Sequence, residues 1–428
     1  MRFFLVSFCV LSAYTVFAQN EDASGAYSPY SFYGIGDIKN PGFAYNRAMG
    51  GIGYGVRTNR VINHINPAAL TVQDSSSFMF DFGGELQNYY ISSSTQSTAA
   101  NSFNISHLAF SFPIWKKTSM VGAVAVMPYS HVGYDITRRE TDPQVIVETG
   151  DAEYSYKGEG GLNQMVLSYA AKIGKHLSLG THAHLIFGSI DRYYNILVTS
   201  GNMQNIYNST SMKVGSFAFT LGAQYEKSLE DDYHLVLGAN YQFRNNMKVT
   251  QSDYSYVSTS LGTDTIHFSE NTNAPLLVPG TVGLGMSLRK GLKWQAGIDY
   301  TYRDWSDATF TTPSDKHFTA TSSHAVCGGF EYTPNINDIR YYIRRISYRA
   351  GLYYESTYMQ FGDTKIKDYG VTFGAGIPLG RYNNNTVNMA VELGQRGTTK
   401  GGLLKEFYWK VSASISLYDI WFQKIRFD

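Results

Sequence analysis

Few side chains in this sequence are spaced for chemistry. His182 and His184 share one face of a predicted strand, a spacing that could supply two metal ligands. A third ligand is not evident nearby, so a structural role is the alternative for the pair. By sequence, none of the ten histidines sits in the constellation that a hydrolase needs, with a serine or paired carboxylates beside it in a catalytic arrangement. The sequence therefore predicts no catalytic residue, no metal site and no cofactor.

A glycine-rich stretch at 48–70 has no such chemistry but has strong conformational signals. Gly51-x-Gly53-x-Gly55 lacks the preceding strand and the helix–strand context of a phosphate loop. Gly50, Gly51 and Gly53 instead predict tight turns and close packing. Asn66 could cap a short helix that begins with Pro67. We interpret the stretch as the heart of an N-terminal plug, with a flexible linker or an extra strand as the alternative.

The chain begins with the pattern of a secretory signal, in residues 1–18. Arg2 is followed by an apolar core, and Val16-Phe17-Ala18 forms a small-residue cleavage site. The mature chain would keep one thiol, Cys327, which excludes an internal disulfide. Lys and Arg number 35 against 34 Asp and Glu, a balance that argues against nucleic acid as a partner.

The composition is typical of a membrane β-barrel. After the signal there is no apolar run of about 18 residues that could form a spanning helix. Aromatic residues make up 15% of the chain, charged residues only 16%, and there are 41 glycines. The mean hydropathy of -0.23 resembles that of a soluble protein. A barrel wall gives the same average because its apolar and polar faces alternate.

Alternation of apolar and polar residues recurs from Ser77 onward. In 293–303, Trp294, Ile298 and Tyr300 share one face and Gln295 and Asp299 the other. A soluble sandwich would show the same alternation. The spacing of the connections favours a barrel, because short and long ones alternate. The connection 333–344 is an unexplained long exception. The predicted strands are 77–91, 102–115, 119–134, 161–173, 176–194, 212–227, 233–248, 280–289, 292–305, 321–332, 345–358, 366–379, 385–396 and 404–418.

These signals predict an all-β protein, a transmembrane antiparallel barrel of about fourteen strands with a small plug in its lumen. The expected divisions are a signal peptide at 1–18, an arm and plug at 19–74, and the barrel at 75–428. Such a protein would lie in the outer membrane of a Gram-negative bacterium, with both termini periplasmic and membrane lipids as partners.

Two internal motifs resemble those of the FadL/TodX family of outer-membrane fatty acid and hydrocarbon transporters. Ala48, Gly50 and Gly51 match an Ala-x-Gly-Gly segment, and 66–70 match Asn-Pro-Ala, a small residue and Leu. Residues 277–306 are similar to a proline-led strand pair that ends in Asp-Trp-Ser. Residues 28–37 and 419–422 resemble members from Bacteroidota.

This resemblance implies passive uptake of hydrophobic compounds, long-chain fatty acids or aromatic hydrocarbons, past a hatch and out through the side of the wall. Relatives in secretion or barrel-assembly complexes use a similar scaffold. The alternative is therefore an accessory barrel subunit with an outer-membrane protein partner.

Pro128 is the predicted position of the side opening. It removes a hydrogen-bond donor within the third predicted strand, which Gly122 and Gly133 also loosen. The resemblance places a kink in that strand. If Pro128 instead lies above the membrane at a frayed rim, it opens nothing.

An apolar ligand would need hydrophobic contacts in the lumen. Candidates are Ile52, Tyr54 and Ile65 in the plug, with Tyr30 and Phe32 in the arm; the alternative is that these residues pack the plug to the wall. Arg57 could neutralise a fatty carboxylate. Alternatively, Arg57 and Arg60 pair with lumen carboxylates such as Glu392 or Asp299.

Overall fold

The structure is a computed structural model that describes residues 28–115, 119–198, 204–259, 262–310, 318–380 and 385–420. The predicted signal peptide, residues 1–18, lies outside these ranges. Across the described residues no helix combines the length and the apolar character needed to cross a membrane.

The described residues form mostly strands, joined by turns and a few short helices. The helices are α1 (Ala44–Arg47), α2 (Pro143–Thr149) and the 3-10 helices Pro29–Phe32, Pro67–Val72, Glu230–Asp232, Tyr342–Arg345 and Lys400–Gly402. The strands are β1 (Asp37–Ile38), β2 (Ser77–Ser92), β3 (Ser97–Trp115), β4 (Met120–His131), β5 (Tyr134–Arg139), β6 (Ala152–Ile173), β7 (Leu177–Val198), β8 (Asn205–Ser228), β9 (Tyr233–Gln242), β10 (Asn245–Met247), β11 (Val249–Thr259), β12 (Gly262–Asn271), β13 (Leu276–Val278), β14 (Thr281–Lys290), β15 (Trp294–Asp304), β16 (Phe318–Ala320), β17 (Ser322–Tyr332), β18 (Ser347–Phe361), β19 (Thr364–Pro378), β20 (Thr386–Gly397) and β21 (Lys405–Ile420).

Fourteen of the described strands form a closed antiparallel barrel. Each pairs with the next along the chain, and β2 closes the ring by pairing with β21 from Ser77↔Ile420 to Ser92↔Lys405. Because the first and last wall strands pair with each other, neither is left as an edge strand, as a barrel in lipid requires. The prediction of about fourteen strands is confirmed. The wall strands are β2, β3, β4, β6, β7, β8, β9, β14, β15, β17, β18, β19, β20 and β21.

The predicted alternation separates the two faces of the wall. On β15, Ile298 and Tyr300 point outward and are 51% and 39% exposed, whereas Gln295 and Asp299 point inward and are buried. On β21, the alternate residues Ser412, Ser414 and Ser416 are buried. A membrane-spanning barrel has this arrangement, because its outer face contacts lipid and is apolar whereas its inner face is polar.

The two ends of the barrel differ. We call the end that carries Ser77, Ile420 and the turns 174–176, 229–232 and 291–293 the lower rim, and the opposite end the upper rim. The connection 249–279, predicted as a loop, contains the paired strands β11 and β12, which extend above the wall. Strands β6 and β8 are also longer than predicted at this end. Above the lipid nothing selects an apolar outward face, so the sequence signal for these extensions is weak.

Candidate functional site

The segment 28–74 packs against inward-facing residues of the barrel. The backbone N–H groups of Gly53 and Tyr54 both donate to one carboxylate oxygen of Asp299 on β15, at 2.6 and 2.8 Å. On another part of the wall, the N–H of Gly50 donates to the hydroxyl of Thr372 at 2.8 Å. These bonds fix the glycine-rich stretch between β15 and β19, two separate regions of the wall.

Glycine is required at two of the predicted plug positions. Gly50 has a φ of +70° and Gly51 a φ of +91°, a region that side chains rarely adopt. A Cβ on Gly50 would also stand 2.5 Å from the carbonyl oxygen of Leu352. At Gly53 a Cβ would stand 2.3 Å from a side-chain carbon of Ile65. The predicted tight turns and close packing are therefore present.

Asn66 and Pro67 begin a short helix, as predicted, although the helix is 3-10. The side-chain oxygen of Asn66 accepts from the N–H of Ala68 at 3.1 Å, and Pro67 occupies the first turn. The side-chain amide of Asn66 donates to the carbonyls of Ala223 and Ala239, at 3.1 and 3.3 Å. Asn66 therefore both caps the helix and ties it to β8 and β9.

Arg57 and Arg60 are paired with wall carboxylates, but the two predicted partners are wrong. Arg57 lies 2.9 Å from Glu226 and Arg60 lies 2.7 Å from Glu331. Asp299 instead accepts the two amides of the segment. Arg57 also donates to the hydroxyl of Thr71 at 2.9 Å. Both guanidinium groups are thus committed to holding the segment in place. Strand patterns show which carboxylates face the lumen, but they do not show which of these lies nearest to each arginine.

The predicted ligand contacts lie in three different environments. Tyr30 and Phe32 belong to an apolar cluster near the upper rim, where the Tyr30 hydroxyl donates to the carbonyl of Leu404 at 2.5 Å. Ile52 is fully buried in a separate cluster with Met49, Val56 and Val61. Tyr54 and Ile65 line a cavity of about 210 Å³ between the segment and the wall. Only some of the predicted contacts therefore border the same space.

The pairing between β3 and β4 stops part-way along the two strands, which leaves a gap in the ladder. Their ladder ends at Leu108↔Val126, although β3 continues back to Ser97, where it pairs only with β2. Beyond Val126 the pairing of β4 with β6 shifts register between Pro128 and Ser130. The proline thus stands where β4 leaves its neighbour. A pocket beside this gap is lined by Asn104, Ser106, Met127, Pro128 and Phe43, among others.

The N-terminal segment occupies the position that β3 vacates. Strand β1 pairs antiparallel with β4 through Asp37↔His131 and Ile38↔Ser130. The N–H of Lys39 then donates to the carbonyl of Tyr129 at 3.0 Å. The bent strand keeps a hydrogen-bonded neighbour in this way, so the gap does not leave β4 with a free edge at these residues.

Gly122 does not lie at the gap. It pairs with Phe112 on β3 and with Tyr169 on β6, within the intact ladder below. Gly133, the other glycine noted in this strand, follows β4 and hydrogen-bonds the N-terminal segment through Ser28 and Ser31. The end of the β3–β4 ladder and the register shift of β4 therefore lie beside Pro128, not beside Gly122.

Charged residues line the cavity behind the gap, and most of them, unlike Glu392, were not singled out in the sequence. Arg396 lies 2.7 Å from Asp37, and Lys410 lies 3.4 Å from Glu392. Arg47 forms an ion pair with Glu85, which Lys39 also approaches, at 4.0 Å. In the sequence, the strand alternation places Glu85, Glu392 and Lys410 on the inward face, which indicates that they face the lumen. Their mutual proximity depends on the closure of the barrel.

Two groups of the segment have shifted pKa values at this cavity. Burial lowers the pKa of Lys39 to about 7, and the neighbouring cations Lys410 and Arg47 act in the same direction. Burial alone would raise the pKa of Asp37, but Arg396 and Lys39 outweigh it and hold the value at about 2. Asp37 is therefore ionised at neutral pH, whereas Lys39 gains or loses its proton there.

The histidine pair is part of a polar network. His184 bonds to Gln164 at 3.0 Å and to Thr220 at 2.9 Å, and His182 bonds to Ser168 at 2.7 Å. No group of three or more potential metal ligands is present in the parts of the chain that are described. These contacts support a structural role for the two histidines, in which they hydrogen-bond neighbouring strands of the wall.

Comparison with solved structures shows the fold. The toluene transporter TbuX of Ralstonia pickettii has a TM-score of 0.58 at 14% identity over 88% of this chain and 98% of its own. The toluene transporter TodX of Pseudomonas putida has 0.57 at 15% identity over 91% and 100%. A FadL homologue of Pseudomonas aeruginosa has 0.58 at 12% identity over 89% and 98%. The predicted likeness to FadL/TodX proteins is confirmed at the level of the fold.

Comparison with protein-family models assigns the chain to a family whose name differs from those of the solved structures. No curated protein sequence matches it. The family model BamG matches all of residues 1–428. Together with the closed fourteen-stranded wall and its apolar exterior, these findings show an outer-membrane β-barrel whose lower rim is periplasmic. The chain belongs to the BamG family.

Proposed function

We propose that this barrel passes hydrophobic compounds through the gap between β3 and β4, with residues 28–74 acting as a plug. The observation that carries the proposal is the end of the β3–β4 ladder at Leu108↔Val126. A route through the side of the wall lets an apolar molecule reach the membrane without crossing the periplasmic water. Structures with this fold include toluene transporters, which supports the same class of ligand here.

In this proposal the segment's residues have different roles. Tyr54 and Ile65 border the cavity and would contact the ligand. Tyr30 and Phe32 lie in the upper apolar cluster, where a ligand would first leave water. Ile52 and Arg57 are buried in packing and ion pairs, so they would position the plug. Gly50, Gly51, Gly53, Asn66 and Pro67 would set its shape.

A second candidate is an accessory subunit of an outer-membrane secretion or assembly complex. The charged lining of the cavity favours it, because an apolar cargo that contacts Asp37–Arg396 and Glu392–Lys410 would remove those groups from water. In that case the lumen would be a filled scaffold and the protein's partners would bind outside it.

The two candidates predict different contents of the purified protein. Extraction of the protein with organic solvent and mass spectrometry would identify bound molecules, with Asp81→Asn as a matched variant that alters a lumen carboxylate away from the cavity. Stoichiometric fatty or aromatic molecules, lost on Tyr54→Ser but not on Asp81→Asn, support passage. A stoichiometric protein partner with no such molecule would reject passage and support the accessory role.

A further inference from the structure

The connection between β17 and β18, residues 333–346, is an ordered structure on the periplasmic rim. It is much longer than the described turns 174–176, 229–232 and 291–293 on the same rim. The carboxylate of Asp338 accepts the N–H groups of Arg340 and Tyr341 at 2.9 and 2.7 Å, and the chain then forms the 3-10 helix Tyr342–Arg345. Its side chains are therefore presented in a defined arrangement.

Two tyrosine hydroxyls hold this connection against the outside of the wall. Tyr348, which points outward on β18 and is 41% exposed, donates to the carbonyl of Ile343 at 3.1 Å. Tyr342 donates to the carbonyl of Pro378 at the end of β19, at 2.7 Å. The connection thus lies beside the lipid-facing surface and is not directed only into the periplasm.

The exposed residues of the connection are apolar and basic. Ile339 is 80% exposed and Ile343 is 69% exposed, unusual values for large apolar side chains next to water. Three arginines accompany them, each within 6 Å of a tyrosine ring: Arg340 and Arg344 at Tyr341, and Arg345 at Tyr342. Within residues 333–346 the only acidic residue is Asp338, 3.4 Å from Arg344. The connection therefore carries an excess of positive charge.

The neighbouring rim continues the same pattern. Thr333 donates its N–H to the carbonyl of Lys293, which joins the connection to the next turn. There the ammonium group of Lys290 lies 4.6 Å from the ring of Tyr233, which contacts Trp294 edge-on at 6.0 Å. A row of aromatic rings with cations is characteristic of the boundary between hydrocarbon and head groups.

We propose that residues 333–346 bind anionic phospholipid head groups of the periplasmic leaflet. Arg340, Arg344 and Arg345 would contact the phosphates, since guanidinium groups bind phosphate oxygens through paired hydrogen bonds. Ile339 and Ile343 would enter the acyl boundary beside Tyr348. A lipid is favoured over an acidic protein because the connection is held against the lipid-facing wall, where a periplasmic protein has less access.

Native mass spectrometry of the full-length protein in micelles containing equal phosphatidylglycerol and phosphatidylethanolamine tests this assignment. We expect the wild type to retain phosphatidylglycerol preferentially. The variant Arg340→Gln/Arg344→Gln/Arg345→Gln should lose at least about fivefold of that preference, because each basic group at a membrane surface contributes to anionic-lipid binding. Arg138→Gln/Arg139→Gln/Lys213→Gln, which removes the same charge near the upper rim, should lose little.

The depth of residue 343 in the membrane is a second test of the proposal, and this measurement does not depend on charge. In a Cys327→Ala background, a nitroxide on Ile343→Cys should be more accessible to oxygen than to a water-soluble nickel chelate. The same label on Glu230→Cys, in a short turn of the same rim, should show the reverse. Equal retention of the two lipids by the wild type, or a water-exposed label at 343, would overturn the proposal. If the triple arginine variant kept the wild-type lipid ratio but lost a protein that copurifies with the wild type, the proposal would be overturned and the surface assigned to that protein.

Discussion

The carboxylate of Asp299 on the wall accepts the backbone N–H of Gly53 in the N-terminal segment, at 2.6 Å. A second N–H, from Tyr54, donates to the same oxygen. Backbone amides that pack against a barrel wall need a protein acceptor in place of the bulk water that they lose on folding. This one side chain therefore satisfies two donors of the glycine-rich stretch, and it stabilises the position of the segment that we propose as the plug.

Replacing Asp299 by alanine should loosen the segment without opening the barrel. Two buried amides would lose their acceptor, at a cost of about 2 kcal/mol, which corresponds to roughly thirtyfold faster local opening. Hydrogen exchange of residues 50–56 would measure the effect. Asp304→Ala, which removes an exposed carboxylate from the same strand, serves as the control and should leave this exchange unchanged. Equal protection in Asp299→Ala and wild type would show that these bonds do not hold the segment.

The account of the gap predicts that Pro128→Ala reduces uptake of a fluorescent long-chain fatty acid by cells that express the protein. Alanine restores a backbone donor where β4 leaves β3. One additional ladder bond of about 1 kcal/mol would lower the open population about fivefold. Pro113→Ala alters a proline within the paired part of β3 and should have little effect. Both variants should insert normally, as judged by their heat-modifiable migration in gels. Unchanged uptake by Pro128→Ala would remove the proline from the mechanism.

Whether the plug must move can be tested with a reversible bond between the segment and the wall. The hydroxyls of Thr71 and Ser178 lie 2.8 Å apart, and both residues are buried. The short distance suits the variant Thr71→Cys/Ser178→Cys in a Cys327→Ala background. If the plug moves as a unit, oxidation should abolish fatty acid uptake and a reductant should restore it.

A matched disulfide outside the segment 28–74, between the connection 333–346 and β18, controls for the chemistry of oxidation. Thr333 and Ser347 have hydroxyls 2.7 Å apart and are also buried. Oxidised Thr333→Cys/Ser347→Cys should transport normally because it does not tether the segment. Full uptake by the oxidised Thr71–Ser178 variant would instead mean that ligands pass a stationary plug.

Lys39 should make the stability of the segment depend on pH. Its pKa is about 7 in the folded protein, against an ordinary value of 10.5, because it is buried beside other cations. Between these values the unfolded state binds more protons, so stability rises with pH; the penalty of burying a charged Lys39 is fully present below pH 7. Lys39→Met should flatten this rise by at least about 1.4 kcal/mol, the equivalent of one pKa unit.

Hydrogen exchange of residues 37–42 between pH 6 and 10, corrected for the intrinsic pH dependence of exchange, would measure that slope. Lys293→Met, on an exposed turn of the lower rim, is the control and should retain the wild-type slope. An equal slope in Lys39→Met and wild type would contradict the assignment.

The sequence allowed the wall to be predicted more fully than the site. Membrane strands show a period of two because lipid selects one face, and β15 and β21 are clear examples. The hairpin of β11 and β12 lies beyond the lipid, so its residues lacked that pattern. The missing backbone donor of Pro128 predicted a break in this strand, and the register shift after Pro128 agrees with it. The charge pair of Arg47 with Glu85 joins residues on β2 and the N-terminal segment, and no local pattern predicts such a contact.

The central claim is that ligands leave through the side of the wall between β3 and β4. Asn104 lines the pocket at this gap, whereas Asn101 on the same strand is exposed on the outer side. In a Cys327→Ala background, Asn104→Cys and Asn101→Cys can each be labelled with a bulky maleimide, and fatty acid uptake measured before and after labelling. The account predicts that labelling at 104 abolishes uptake and labelling at 101 does not. Undiminished uptake with residue 104 fully labelled would contradict it.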